Sequence, residues 1–466
     1  VSAPTDPAEA DDVPLGLPPS GLFHLVARDA PTPSGLKPIA PTPFVHLSTG
    51  AQLAATARRH FRGRLVDALE LDPARLVPGA LVYEDTTGHG AFPHHYGAVP
   101  TDAIRARHAL PPVTRADVVR ALAAVRARFA PTPLVAAPTL SARLGVEVWL
   151  KLDTTTPTRV FKARGAANAL AALAQGVAPP RAVVTASGGN HGISVAWAAR
   201  AHGIGAHVFV PAGASAEKRA AIAHHGARVV TNGVDYQAAA DAAHAFAAAE
   251  GLPYVHAYDD PDVIAGQGTL ALELEVQVQA TLGARVADAI DAIYLGVGGG
   301  GLVAGVAAAL GARASIVAVE PEGAPTLHAA RTAGHMVTLP AVSTIADGLA
   351  ARRVGGLALD LVGRAQVRSV LVDDAALLDG MATLLETEQL LVEPAGAAAL
   401  AGLVTDRRAA MTSAAGGRVV LVLCGANIAR VHAAALHATV AARLASSACQ
   451  AVAARADDVA ALESTG

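Results

Sequence analysis

Only four lysines occur in the 466 residues, at positions 37, 151, 162 and 218, and arginine supplies nearly all the other positive charge. The two cations differ in chemistry. A guanidinium stays protonated, whereas an amine can lose its proton in an apolar pocket and attack a carbonyl to form a Schiff base. Lys162 stands in Pro157-Thr158-Arg159-Val160-Phe161-Lys162-Ala163-Arg164-Gly165-Ala166. Locally it reads either as a surface lysine opening a helix or as an amine nucleophile.

A second chemical feature is the glycine run Gly298, Gly299, Gly300, Gly301, between an apolar strand (292–297) and a helix (302–310). Free backbone N–H groups at a helix N-terminus bind anions. Gly296, Gly298 and Gly301 also spell G-x-G-x-x-G, and Glu320 follows at the end of the next strand. That pattern imitates a dinucleotide fingerprint, so an NAD-dependent dehydrogenase is one reading. A phosphate monoester site is the other, because four unbroken glycines leave no side chain to shape a pyrophosphate path. The strand 182–185 ends in Ser187-Gly188-Gly189-Asn190-His191-Gly192, a second anion-competent helix start. Strand 419–423 ends in Cys424-Gly425-Ala426-Asn427. Loops at the carboxyl ends of parallel strands gather at one edge. These loops, the lysine segment and a Gly266-Gln267-Gly268-Thr269 turn are therefore expected around one cleft.

The elements that must hold them follow from alternation. Short apolar strands are expected at 146–150, 182–185, 206–210, 227–230, 292–297, 316–319 and 419–423, with alanine-rich helices between. This pattern predicts a parallel sheet covered on both faces. Thr114 is an N-cap candidate for a helix over 115–129. Residues 1–19 are acidic and Pro-rich and read as a disordered tail, 20–108 as a separate α+β domain, 113–446 as the α/β domain with a smaller subdomain near 182–265, and 447–466 as a C-terminal tail. Net charge −3 and a pI near 6.7 give no basic field for nucleic acid or membrane. No apolar run reaches the roughly 18 residues of a membrane span. Two cysteines, Cys424 and Cys449, do not support a disulfide framework. A soluble cytoplasmic protein, with a homodimer as the default assembly, is expected.

The ordered set of segments across about 113–430 resembles the fold-type II pyridoxal-phosphate enzymes, specifically the threonine/serine dehydratase and serine racemase group. The segments are Thr132-Pro133-Leu134, Lys151, Pro157 to Ala166, Ser187 to Gly192, Ala265 to Thr269, Gly298 to Gly301, Ile345-Ala346-Asp347-Gly348, Glu393-Pro394 and Cys424 to Asn427. The resemblance implies two open, twisted, mostly parallel sheets flanked by helices, and pyridoxal 5'-phosphate as cofactor. It implies that Lys162 carries the cofactor, with Phe161 beside it, that Gly298, Gly299, Gly300 and Gly301 cradle its phosphate, that Asn190 bonds the ring hydroxyl, and that Cys424 faces the pyridine nitrogen. Ser187, Gly188, Gly189 and His191 would bind the substrate carboxylate through backbone and side-chain donors. The implied reaction is loss of water from a β-hydroxy amino acid such as ʟ-threonine or ʟ-serine, giving a 2-oxo acid and ammonia. Racemisation and β-replacement on the same fold are the alternatives.

Departures from the family pattern refine this. Racemases of the group carry a serine directly before Gly189, as the acid/base of the second face; here Gly188 has no proton to give. Arg159-Val160 replaces the Gly-Ser of many relatives. A cation site of some relatives falls on Glu320, Ala324 and Thr326, where the second carboxylate is missing, so divalent binding is a weak expectation.

Residues 21–107 resemble a small bacterial domain of unknown function, related distantly to the ADP-ribosyltransferase fold, through Phe23-His24-Leu25, Phe44 to Ser48, Val82-Tyr83-Glu84 and Phe92 to Gly97. His24, His46, Ser48 and His95 could line one polar cleft, with Tyr83 and Tyr96 stacking on a ring. A nucleotide-like ligand is the corresponding expectation.

Overall fold

The computed structural model describes residues 17–443, apart from 32, 34, 39–41, 86–89, 407–416 and 430. Most of the tail expected over 1–19, the tail over 447–466 and Cys449 lie outside the described residues. Residues 431–443 are helical.

The first part of the chain builds two small antiparallel sheets. One runs Ser48–Thr49, Leu22–Ala27, Val66–Leu71, Ile104–Ala109; the other runs Phe44–His46, Phe92–Tyr96, Leu81–Glu84. Leu22, Val45, Leu69 and Leu71 close the core between them. The capping box at Thr114 then opens helix Arg115–Arg126: the Asp117 carboxylate accepts from Thr114 N at 2.7 Å, and Thr114 Oγ1 accepts from Asp117 N at 3.2 Å.

A six-stranded sheet follows, in the order Val367–Val372, Ile316–Pro321, Ala292–Gly296, Arg418–Leu423, Glu147–Leu152, Leu134–Ala136. Its first five strands are parallel and the last pair is antiparallel. A three-stranded parallel sheet holds Ala182–Ala186, Gly205–Val210 and Arg228–Thr231. All seven expected strands are present with ends within two residues. The two that were not anticipated, Leu134–Ala136 and Val367–Val372, are the edges of the large sheet. Val135 is exposed and the middle of Val367–Val372 is half-buried, so neither reads as a fully apolar core strand.

One expectation is corrected. Gly266-Gln267-Gly268-Thr269 is no turn but the middle of helix Pro261–Leu282. A Cβ on Gly266 would stand 2.6 Å from Arg164 O, and one on Gly268 2.6 Å from Gly305 O. These glycines let the helix touch its neighbours Lys162–Ala174 and Gly301–Leu310 backbone to backbone, which ties the lysine helix to the glycine-loop helix.

Beside this contact lies a buried charge cluster. Arg164 binds Asp153 bidentately, with Nε and Nη2 each donating at 2.8 Å, and donates to Glu273 through Nη1 at 3.0 Å and Nη2 at 2.8 Å. Lys151 Nζ donates to Glu273 Oε2 at 2.9 Å and to Thr132 O at 2.7 Å. All four charged groups are fully buried, two of each sign. Burial pushes the Lys151 amine down, while Arg164 and Lys151 hold the Glu273 carboxyl below its ordinary range against burial. Removing one member leaves the others unpaired in low dielectric, which costs about 3–5 kcal/mol. Glu273→Ala is therefore expected to lower the thermal unfolding midpoint of the protein steeply; a change under about 1 kcal/mol would contradict the role given to this cluster.

Candidate functional site

Lys162 is the first residue of helix Lys162–Ala174. The segment before it is stitched to the loop after strand Arg418–Leu423: Phe161 N donates to Cys424 O at 2.9 Å and Ala426 N to Arg159 O at 2.9 Å. Arg159 takes φ 59°, the left-handed region that favours glycine. Lys162 Nζ donates to Ala257 O at 2.7 Å and sits 5.0 Å from the centre of the Phe161 ring. No carboxylate pairs with it among the described residues, and burial lowers its pKa to about 8. It is thus an amine that releases its proton far more readily than an exposed lysine.

The glycine loop runs from strand Ala292–Gly296 into helix Gly301–Leu310, with Gly300 at φ 90°. A Cβ on Gly299 would lie 2.2 Å from the Tyr258 ring, and one on Gly298 2.9 Å from Leu349 Cα. Tyr258 directly follows Ala257, so the lysine and the loop flank the same short segment. Among the described residues, the amides of Gly298, Gly299, Gly300 and Gly301 have no protein acceptor. Such a row of buried or half-buried donors at a helix start fits a phosphate.

The second helix start belongs to Asn190–Arg200. Ser187 Oγ accepts from Gly189 N at 3.2 Å and keeps its own proton for a ligand. The amides of Gly188, Asn190 and His191 have no protein acceptor among the described residues. The amide orientation of Asn190 is fixed by its surroundings. Asn427 Nδ2 donates to Thr158 O at 3.0 Å and to Asn190 Oδ1 at 2.8 Å, so Asn190 Nδ2 must face Glu393 Oε1, at 2.8 Å. One Asn190 N–H then remains for a ligand. Glu393 Oε2 accepts from Asn427 N at 3.2 Å, and burial raises this carboxyl to about 7. Cys424 is fully buried, with Sγ 3.3 Å from Ala395 O; burial pushes its thiol up, so it stays protonated.

His191 departs from expectation. Its Nε2 pairs with Val255 O at 3.2 Å, so the proton is on Nε2; Nδ1 has no partner, and burial holds the imidazole down near 3. A neutral ring with a bare Nδ1 cannot donate to a carboxylate, and only its backbone N–H can serve. Glu320 is also committed elsewhere. Its carboxylate accepts from Leu327 N at 2.7 Å and His328 N at 2.9 Å, capping helix Thr326–Ala333, and burial raises it to about 7. Neither a ribose nor a cation is the evident partner of that group. Ala324 is buried, and Thr326 Oγ1 donates to Gly298 O at 2.7 Å.

In the N-terminal part, His46 and His94 pair across strands and pack with Phe44 and Tyr96, while Glu84 accepts from Tyr96 at 2.7 Å and lies 3.0 Å from His94 Nδ1. His95, adjacent to His94 in its strand, points to the opposite face, and Ser48 Oγ donates to Thr56. His24 Nδ1 bonds His46 O at 2.8 Å. Of the four residues expected around one cleft, His24 and His46 adjoin, whereas Ser48 is engaged with Thr56 and His95 faces the other side of its strand. Tyr83 and Tyr96 remain partly exposed.

Several pairings within the site carried no signal in the sequence. Glu393 lies far along the chain from Asn190, and the Ala257 carbonyl has no side-chain signature. Lys218, at the start of helix Ala216–His224, pairs with Asp347, and its Cδ and Cε lie 3.9 Å from where a Cβ on Gly189 would be. It bridges the small-sheet side of the cleft to the Ile345–Gly348 segment. A buried amine without a counter-ion, unpartnered amides at two helix starts and an oriented Asn190 fit pyridoxal phosphate in amine, phosphate and phenolate chemistry.

Comparison with known proteins agrees. Residues 125–425 match the pyridoxal-phosphate dependent enzyme family, and 28–107 match a family of unknown function, DUF952. The chain is 34% identical to the L-threonine dehydratase biosynthetic IlvA of Corynebacterium glutamicum, over 68% of this chain and 72% of that protein. Among solved structures, the T.th. threonine deaminase superposes with a TM-score of 0.61 at 32% identity, covering 68% of this chain and 99% of that one. Maize serine racemase superposes with a TM-score of 0.62 at 30% identity, covering 68% and 95%. The family match spans the Lys162 helix, both anion-competent helix starts and the Cys424 loop, and with it the chain belongs to the fold-type II pyridoxal-phosphate dependent enzymes.

Proposed function

We propose that the enzyme removes water from a β-hydroxy amino acid of the ʟ-threonine or ʟ-serine type, releasing a 2-oxo acid and ammonia. The observation that carries this reading is the buried Lys162 amine, held near two sets of helix-start amides, with neither a counter-ion nor amide acceptors among the described residues. Lys162 would hold pyridoxal phosphate, Gly298 to Gly301 its phosphate and Asn190 its ring hydroxyl, with Phe161 alongside and the Cys424 thiol toward the ring nitrogen. When bound, the cofactor supplies an electron sink for the carbanion formed at the substrate's α-carbon. The protein's own residues do the rest. Ser187 Oγ and the amides of Gly188, Asn190 and His191 would grip the carboxylate, with Gly189 N–H holding Ser187 Oγ in place. The Lys162 amine would take the α-proton, and burial keeps it ready to do so. The β-hydroxyl would leave as water with the proton that Lys162 removed, and the resulting enamine would tautomerise and be hydrolysed by a water molecule. A protonated thiol at Cys424 does not hold the ring nitrogen charged as a carboxylate would, which favours rapid elimination over a long-lived carbanion.

Gly188 separates this reading from racemisation. It offers no proton for the second face. A side chain there is sterically admissible, since the nearest atoms to a Cβ are Pro211 Cδ at 3.6 Å and Ala214 Cβ at 3.7 Å. We further propose a division into a 20–108 domain and a 113–446 catalytic domain, and a cytoplasmic homodimer; among the described residues no helix is long and apolar enough to cross a membrane. Light scattering checks the dimer by its mass in solution.

Three outcomes are expected. Across a panel of β-hydroxy amino acids, 2-oxo acid and ammonia form in equal amounts, and Lys162→Ala abolishes both; a panel that yields neither would overturn the proposal. Gly188→Ser gains ᴅ-serine formation from ʟ-serine at the expense of elimination, read by chiral chromatography, whereas a wild-type racemisation rate equal to elimination contradicts the role of Gly188. The rate at which apoenzyme captures cofactor rises about tenfold per pH unit and levels off above pH 8, because the neutral amine is the reactive form. A rise continuing past pH 10 would show that Lys162 keeps its ordinary pKa.

A further inference from the structure

Two of the groups that a dehydratase must hold have donors of their own. The substrate carboxylate meets Ser187 Oγ and the amides of Gly188, Asn190 and His191, and the glycine-loop amides face a phosphate. The β-oxygen, on which negative charge develops as it leaves, has no donor among these. Resting on the dehydratase reading, we propose that His256 supplies one: its Nε2–H donates to the β-oxygen of the substrate and stabilises that oxygen as the carbon–oxygen bond breaks.

The backbone fixes where the His256 proton is. Nδ1 accepts from Asp259 N at 2.9 Å and from Tyr258 N at 3.3 Å. An amide N–H can only donate, so Nδ1 is bare and the proton of the neutral ring is on Nε2. Burial, with Lys162 and His244 adding to it, holds the imidazole below its ordinary range against the pull of Asp259 and Asp260. The ring is therefore a neutral donor. Nε2 has no acceptor among the described residues, and unlike His191 Nδ1 it is not sealed in the interior. Nor does the ring turn freely. Tyr258 meets it edge-on, with centroids 4.7 Å apart and planes at 87°, and Tyr254 flanks it at 6.1 Å. Tyr254 is itself stacked on His244 at 3.8 Å. A donor held in place before charge develops needs no reorganisation when it does.

The segment that carries His256 runs past the reacting atoms. Val255 is buried, with its N–H on Val184 O and its carbonyl accepting from Thr185 Oγ1 at 2.8 Å and His191 Nε2 at 3.2 Å, beside the Ser187 loop. Ala257 O accepts from Lys162 Nζ at 2.7 Å, and Tyr258 packs on Gly299. His256 stands between these anchors, half-buried and close enough to Lys162 to feel its charge. In the elimination, Lys162 takes the α-proton and the electron pair of that bond becomes the Cα–Cβ double bond. The Cβ–O bond breaks with its pair on oxygen, which leaves as water with the proton returned by Lys162. His256 keeps its own proton throughout and gives only a hydrogen bond.

The test compares leaving groups on the holoenzyme. His256→Asn places a carbonyl oxygen where Nδ1 stands, so it still accepts from the amides two and three residues on, but it carries no donor at the Nε2 position. ʟ-Serine uses the donor at its β-oxygen, whereas β-chloro-ʟ-alanine loses chloride, which needs none. The variant is expected to lower serine elimination about tenfold or more and β-chloroalanine elimination less than about twofold. Equal losses on both, or no loss on serine, would overturn the proposal. A second measurement needs no turnover. ʟ-Glycerate and ʟ-lactate differ only in the β-oxygen and, lacking an amine, are not substrates. By calorimetry on the wild type, glycerate is expected to bind roughly threefold or more tighter than lactate, and the two to bind alike in His256→Asn. Equal affinities in the wild type, or a preference unchanged in the variant, would contradict the assignment. If no β-hydroxy amino acid is turned over, the dehydratase reading fails while the glycerate comparison still measures the His256 donor.

Discussion

The buried cluster of Lys151, Asp153, Arg164 and Glu273 is the constraint on which the site depends. It joins the end of strand Glu147–Leu152, the first turn of the Lys162 helix and the middle of helix Pro261–Leu282. Ion pairs out of water gain little net stability, because desolvation offsets their attraction. Their value here is geometric. A bidentate fork between Arg164 and Asp153 tolerates little rotation, so the helix start two residues upstream is fixed in direction. Lys162 is then held beside the Ala257 carbonyl and away from water, and that burial sets its proton affinity.

Glycine serves the same architecture in two different ways. In Gly298 to Gly301 the missing side chains expose amides to an anion and admit the Tyr258 ring. In Gly266, Gly268 and Gly305 they allow helices to touch along their backbones. Both kinds sit on connected elements, since the helix that carries Gly305 begins at the phosphate-competent loop. An added methyl group at either place would act through position rather than chemistry.

This double use of glycine explains what the sequence conveyed and what it did not. Buried parallel strands advertise themselves as short apolar runs, and their carboxyl-end loops named Lys162, Asn190, the glycine run and Cys424 in advance. Gly266-Gln267-Gly268-Thr269 was misleading, because a string of small and polar residues looks alike in a turn and at a close helix contact. Edge strands such as Val367–Val372 were hidden by their partial exposure. Glu393 and Asn427 act through a hydrogen-bond chain that only the fold assembles, and the proton position on His191 depends on a carbonyl, Val255 O, that no side chain marks. The N-terminal histidines show the limit of counting residue types, for adjacent His94 and His95 face opposite sides of one strand.

One covalent assignment underlies the proposed chemistry: Lys162 and no other lysine carries the cofactor. With only four lysines in the chain, borohydride reduction of the holoenzyme followed by peptide mass spectrometry decides it. A single pyridoxyl adduct is predicted, on the peptide containing Phe161-Lys162-Ala163. An adduct on Lys37, Lys151 or Lys218 with Lys162 unmodified, or no adduct on a cofactor-loaded protein, would contradict it.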